Sequence, residues 1–204
     1  DTSVDVITTQ ITEFYPRFLF GNAASGKQFL KIATFGNKEA FNDVEKNHKK
    51  MTIFHSTFSG GETKILNIPF LDEILIFNNL KKNEKSCIYE GAKNLITFLF
   101  ECGASYLILC DEKNTKIEKK HLKYIDNILK NLNFNMSSVH LLGGLKMGTN
   151  INSTLDIYGN VKNINHNIFV NDSSLLSYDL LRNPQSMIMQ IAHINIKNFL
   201  SYTK

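Results

Sequence analysis

Three short stretches near the carboxyl end carry residue types that could take part in chemistry. Ile168-Phe-Val170 is a β-branched and aromatic run that stops at Asn171-Asp172-Ser173-Ser174. It reads as a buried strand ending in a turn, which would put Asp172 at a strand's carboxyl end, where loop amides and carboxylates of layered folds meet nucleotides. Asn183-Pro184-Gln185 opens the apolar spacing Met187, Ile188, Ile191, Ala192 and Asn195. Asn is a preferred N-cap and Pro a preferred first helical residue, so a helix is expected to begin there. Its first amides lack intrahelical acceptors and carry partial positive charge, so they suit an anion or an electron-rich ring, although an ordinary capped helix looks the same locally. The third stretch, Val139-His140-Leu-Leu-Gly143-Gly144-Leu-Lys-Met147-Gly148, sets a histidine before a glycine-containing loop.

Taken together these stretches resemble the C-terminal signature of the flavin-dependent glucose-methanol-choline oxidoreductases. The pieces stand in the family's order: His140, Gly143-Gly144, Met147-Gly148, Asp156-Ile-Tyr-Gly159, Asn167-Ile-Phe-Val-Asn-Asp172-Ser-Ser174, and Asn183-Pro-Gln-Ser-Met-Ile-Met189. Three positions depart from it: Ser177 stands where the family usually has Pro, Leu181 where it has Gly, and Met187 where it has Thr. Leu181 matters most, because a glycine there lets the backbone approach the flavin closely.

The resemblance implies an FAD-dependent oxidation of a CH–OH group in an alcohol or sugar. Such a reaction removes a hydride from carbon and a proton from oxygen. By carry-over, His140 is the base or hydroxyl-orienting group and Asn183 its partner on the substrate oxygen. Asp172 and Ser173 lie near the ribityl and pyrophosphate part of FAD, and Asn183, Pro184 and Gln185 near the ring; no metal is implied. No Gly-x-Gly-x-x-Gly occurs in the sequence, and that turn is what holds the pyrophosphate of FAD. The expectation is therefore the C-terminal portion of such an enzyme, whether a fragment, one product of a split gene or a remnant. Its partners would be a small alcohol substrate and an N-terminal FAD-binding polypeptide. A non-catalytic interaction domain that keeps the substrate-domain fold is the alternative.

The elements upstream read as the scaffold. With 204 residues, 43% of them hydrophobic, the chain can bury one sizeable core or a two-layer domain. The expected fold class is α+β: an antiparallel substrate-domain sheet with flanking helices over residues 1–138, then a flavin-domain strand-loop-helix piece over 139–204. A net charge of +4, with adjacent lysines only at Lys49-Lys50, Lys81-Lys82 and Lys119-Lys120, reads as solvated faces and not a nucleic-acid stripe. Cys87, Cys102 and Cys110 have neither a disulfide framework's even count nor a zinc site's spacing, so free thiols in a reducing, cytoplasmic setting are expected. No apolar run reaches the roughly 18 residues of a membrane span. The chain starts at Asp1 without Met, which leaves secretion open.

In order, Val4, Val6 and Ile11 alternate with polar residues ahead of the aromatic stretch Phe14 to Phe20, a strand and a buried loop. Gly21-Asn-Ala-Ala-Ser-Gly26-Lys27 comes within one residue of a P-loop, but Gln28 stands where a magnesium-binding hydroxyl belongs. A Gly/Ser loop is the plainer reading, and a P-loop nucleotidase would rest on that stretch alone. Phe29 to Phe41 suggests a helix broken by Gly36-Asn37, and Asn42 to Lys50 a polar connector. Met51 to Phe58 predicts a strand, with Thr63 to Ile68 as its hairpin partner, and His55 on it reads as a packed or surface residue. Ser86 to Gly103 is an amphipathic helix, Ala104 to Cys110 a strand, and Lys119 to Leu132 another helix.

Overall fold

The computed structural model describes residues 10–23, 25–68, 73–137, 140, 142–164, 168–176, 181 and 183–202. Val4 and Val6, Val139, Asn167 and Ser177 lie outside the described residues. Five α-helices and three small antiparallel sheets make up the regular structure of the described residues, a mixed α and β protein. The chain divides into two compact units, Asp1–Met136 and Ser137–Lys204.

In the first unit, strand β1 (Gln10–Ile11) pairs with β2 (Phe18–Ala23), which pairs with β3 (Ile53–Phe58) in antiparallel register, Phe18 opposite Phe58 and Ala23 opposite Ile53. Between β2 and β3 run α1 (Lys27–Ala33) and α2 (Lys38–Asn47). The break expected at Gly36-Asn37 is there: Gly36 takes φ +95 and the Asn37 carboxamide accepts from the Ala40 amide at 3.0 Å. Asn42 to Lys50 is not a connector. It completes α2 and adds a 3-10 turn, His48–Lys50, because Ala40 and Val44, one helical turn apart, are both buried and give that polar stretch an inward face.

The hairpin expected between Met51 to Phe58 and Thr63 to Ile68 does not form. β4 (Glu62–Ile68) pairs instead with β5 (Glu73–Asn79), Lys64 opposite Phe77 and Leu66 opposite Leu75. Gly60 and Gly61, both at positive φ, turn the chain away after β3. β3 already has its hydrogen-bonding partner in β2.

Helix α3 (Lys82–Glu101) is the central element of this unit. Leu95 packs with Phe18 and Phe20 of the sheet, while Ile96 and Phe100 pack with Leu109, Ile117, Ile125 and Leu129. The helix starts four residues before Ser86, since Glu84 reaches back to accept from the Lys81 amide at 2.6 Å. Those backbone bonds, from Lys81 and then Gly61, hold the Glu84 carboxyl below its usual range. Ser86 lies inside the helix and donates to Glu90 at 3.1 Å.

Gly91 lets α3 approach the sheet. A Cβ there would collide with the Ser56 hydroxyl and come within 3.5 Å of the Phe18 ring. Gly91→Ala gains up to about 1 kcal/mol of helix propensity but overpacks this contact at about 1–3 kcal/mol. A lower urea midpoint at constant slope is expected, with much of the loss recovered by adding Ser56→Ala, which removes the colliding hydroxyl.

Beyond α3, β6 (Tyr106–Ile108) forms a hairpin with β7 (Lys116–Glu118), a strand absent from the reading of the sequence. The buried Asp111 shapes their connection by accepting from the Thr115 amide and hydroxyl at 2.6 and 2.8 Å. The helix expected over Lys119 to Leu132 is a 3-10 segment, Lys119–Tyr124, followed by α4 (Ile125–Lys130). The three cysteines are free thiols, and burial raises that of Cys110. Among the described residues no helix is long and apolar enough to cross a membrane.

Candidate functional site

Among the described residues of the second unit, Ser137–Lys204, there is little regular structure besides the last helix, α5 (Gln185–Tyr202). α5 begins where the Asn-Pro-Gln step puts it. The Asn183 carboxamide oxygen accepts from the Gln185 amide at 2.9 Å, and the first backbone bond runs from the Ile188 amide to the Pro184 carbonyl, also 2.9 Å. Asn183 is therefore committed as a cap through its oxygen, and the residue is exposed.

Asp172 is turned onto its own chain. Its Oδ1 accepts from the Ser174 amide at 2.8 Å and from the Ser174 hydroxyl, heading a 3-10 turn over Ser173–Leu175. These bonds from Ser174 hold its carboxyl below the usual range, so the turn keeps its clasp at neutral pH and loses it as pH falls through that lowered value.

The glycine loop after His140 rests on that turn. Gly143 takes φ +76, and a Cβ on it would stand 3.4 Å from the Leu176 carbonyl; a Cβ on Gly144 would meet the Ser174 side chain, and the Leu145 amide donates to the Ser174 carbonyl at 3.1 Å. Gly148 donates to the Leu155 carbonyl at 3.1 Å, and Leu155 is fully buried. The Lys162 ammonium closes this loop on the carbonyls of Gly148 (2.8 Å) and Asn150 (3.0 Å). In the Asp156-Ile-Tyr-Gly159 step, the Asp156 carboxylate accepts from the amides of Tyr158 and Asn160 at 2.8 and 2.9 Å, and Gly159 takes φ +82. The Gly159 carbonyl then accepts from the Val170 amide at 2.8 Å.

Ile168 to Val170 is not a buried strand. Among the described residues it makes one bridge, Asn160 with Phe169, and Ile168 is 51% exposed, so the β-branched and aromatic run reflects a short pairing and not a sheet interior. Leu181, at the position where the family carries Gly, is buried. His140 is half-buried, and among the described residues no hydrogen bond links it to Asn183 or Asp172. Thus the loop after His140, the Asp156–Gly159 turn and the Asp172 turn are brought into one hydrogen-bonded unit, whereas His140 and Asn183 are not joined directly.

Two contributors were not legible as site residues. Asn195, 2% exposed, donates from Nδ2 to the Asn171 oxygen at 3.0 Å. The only trace of it in the sequence is a polar residue on an otherwise apolar helical stripe. Lys162 left no local signal, since its acceptors lie 12 and 14 residues away.

The near P-loop is a strand and its turn. Gly21 to Ala23 belong to β2, and the Ser25 hydroxyl donates to the Ala23 carbonyl at 2.7 Å and accepts from the Ile53 amide at 2.8 Å. Lys27 pairs with Glu45 at 2.6 Å, and Lys27 with Lys31 pulls the Glu45 carboxyl down to about 2. Loop and lysine are thus occupied by the fold. His55 is exposed on β3, its ring beside Gly21 of the neighbouring strand and 2.8 Å from where a Cβ on that glycine would stand.

No protein-family model matches the chain, and neither a curated protein nor a solved structure matches it.

Proposed function

We propose that the chain is the C-terminal part of an FAD-dependent oxidoreductase that acts on the CH–OH group of an alcohol or sugar, of the glucose-methanol-choline type. Residues 1–138 would contribute the substrate-domain sheet and 139–204 the loops facing flavin and substrate. The observation that carries this reading is that the separate pieces of the signature support one another. The loop after His140 rests on the Asp172 turn through Leu145 and Ser174, and the Asp156–Gly159 turn is bonded to Val170, two residues before Asp172.

The residues fit one end of FAD better than the other. A helix whose first amide is organised by Asn183 suits the electron-rich end of the ring. The Ser174 amide is taken by Asp172, however, so this turn offers fewer amides to the pyrophosphate, and a Gly-x-Gly-x-x-Gly polypeptide would supply those contacts. FAD, when bound, takes the hydride from the carbinol carbon. His140 would accept or orient the hydroxyl proton, the Asn183 amide would hold the oxygen, and the α5 N-terminus would favour negative charge beside it.

The test is flavin retention. The 204-residue chain, gel-filtered after incubation with FAD, is expected to hold none; together with a polypeptide bearing the Gly-rich turn it should hold one FAD that an alcohol or sugar bleaches without oxygen. Stoichiometric FAD on the chain alone would overturn the division of contacts, and no flavin in the assembly would overturn the reading. A non-catalytic interaction domain is the second reading, favoured by the β4–β5 ribbon, where Leu66, Leu75 and Phe77 are 40–54% exposed.

A further inference from the structure

Helix α5 buries an amide and exposes its hydrocarbons. Asn195 is 2% exposed, while Met187, Met189, Ile194, Ile196 and Leu200 stand between 42 and 65%. A buried carboxamide is costly unless its polar atoms are bonded, so the position demands a reason. Asn195 meets both sides of the short pairing that leads into the Asp172 turn. Its Nδ2 donates to Asn171 at 3.0 Å, and the same nitrogen lies 2.7 Å from where a Cβ on Gly159 would stand. Gly159 accepts from Val170, and Asn160 bridges Phe169. The glycine at φ +82 leaves the space the carboxamide occupies.

We propose that Asn195 is a positioning residue that fixes the Asn171–Ser174 turn relative to α5, an inference that rests on the flavin reading of that turn. The turn's own clasp, Asp172 to Ser174, sets its shape but not its place. Asn195 ties it to α5, while the Leu145 and Val170 amides tie it to the neighbouring loops. Asn195 sits ten residues along a rigid helix from Gln185, about 15 Å at 1.5 Å per residue. One rod therefore carries both the capped N-terminus assigned to the ring and the anchor of the turn assigned to the ribityl and pyrophosphate part.

Asn195→Leu keeps the branched shape and removes both polar ends, while the exposed Asn171 regains water, so the melting temperature should stay near the parent's. Hydrogen exchange at the amides of Ser173, Ser174 and Leu175 in the 204-residue chain should rise about tenfold, with α3 amides unchanged. In the FAD-loaded assembly, FAD release should quicken about tenfold. Asn171→Ala cuts the same bond from the solvent side and should reproduce both effects, which keeps the test open if Asn195→Leu fails to fold. Unchanged exchange in the variants overturns the positioning role whatever the flavin does. Raised exchange with unchanged FAD release overturns its bearing on the cofactor. A parent assembly that never holds FAD overturns the flavin reading itself, and is told apart by the exchange data.

Discussion

Replacing His140 by Ala in an assembly that holds FAD should lower the rate of flavin reduction by about a hundredfold or more, the scale of a positioned acid/base group. The substitution is clean in one respect. The loop that follows is held by bonds that do not involve the imidazole: Leu145 to Ser174, Gly148 to Leu155, and Lys162 to Gly148 and Asn150. Truncating a half-buried ring should therefore leave the loop seated on the Asp172 turn and FAD bound. Anaerobic stopped-flow mixing with the alcohol separates the cases. Slow reduction at parental FAD content assigns His140 to proton handling; loss of FAD makes it a support for the loop. Unchanged reduction leaves it a loop histidine and removes the catalytic assignment.

What the sequence made legible follows the range of the forces involved. The start of α5 at Asn183-Pro184, the break at Gly36-Asn37 and the body of α3 were readable because caps, positive φ and helical spacing act within a few residues. Strand partners were not. Met51 to Phe58 and Thr63 to Ile68 have the pattern of a hairpin, yet β3 pairs with β2 some 35 residues earlier in the chain, a choice made by the burial of Phe18, Leu19 and Phe20. β7 was missed because Lys-Ile-Glu shows only one inward residue, Ile117, whose place in the core depends on α3 and α4. At the site, the order of the pieces was readable while the contacts that assemble them were not, since Asn195 to Asn171 and Lys162 to Gly148 span 24 and 14 residues.

Asn183 should behave as a cap that also works on substrate, and two substitutions separate the jobs. Asn183→Asp keeps an oxygen for the Gln185 amide, so the helix start and the melting temperature should change little. On the flavin reading proposed above, the same change removes the amide that would donate to the substrate oxygen and adds a negative charge where the ring would itself become more negative. In a low-dielectric pocket that opposition is worth several times its value in water, so flavin reduction should slow and the flavin potential should fall. Asn183→Ala removes the cap as well and should cost about 1 kcal/mol of stability together with turnover. Pro184 sets the backbone of the first turn in all three proteins, so the helix should still begin there and the differences fall on the side chain. An Asn183→Asp protein that melts like the parent and reduces its flavin as fast would make Asn183 a cap alone, and the ring would then have to lie away from this end of α5.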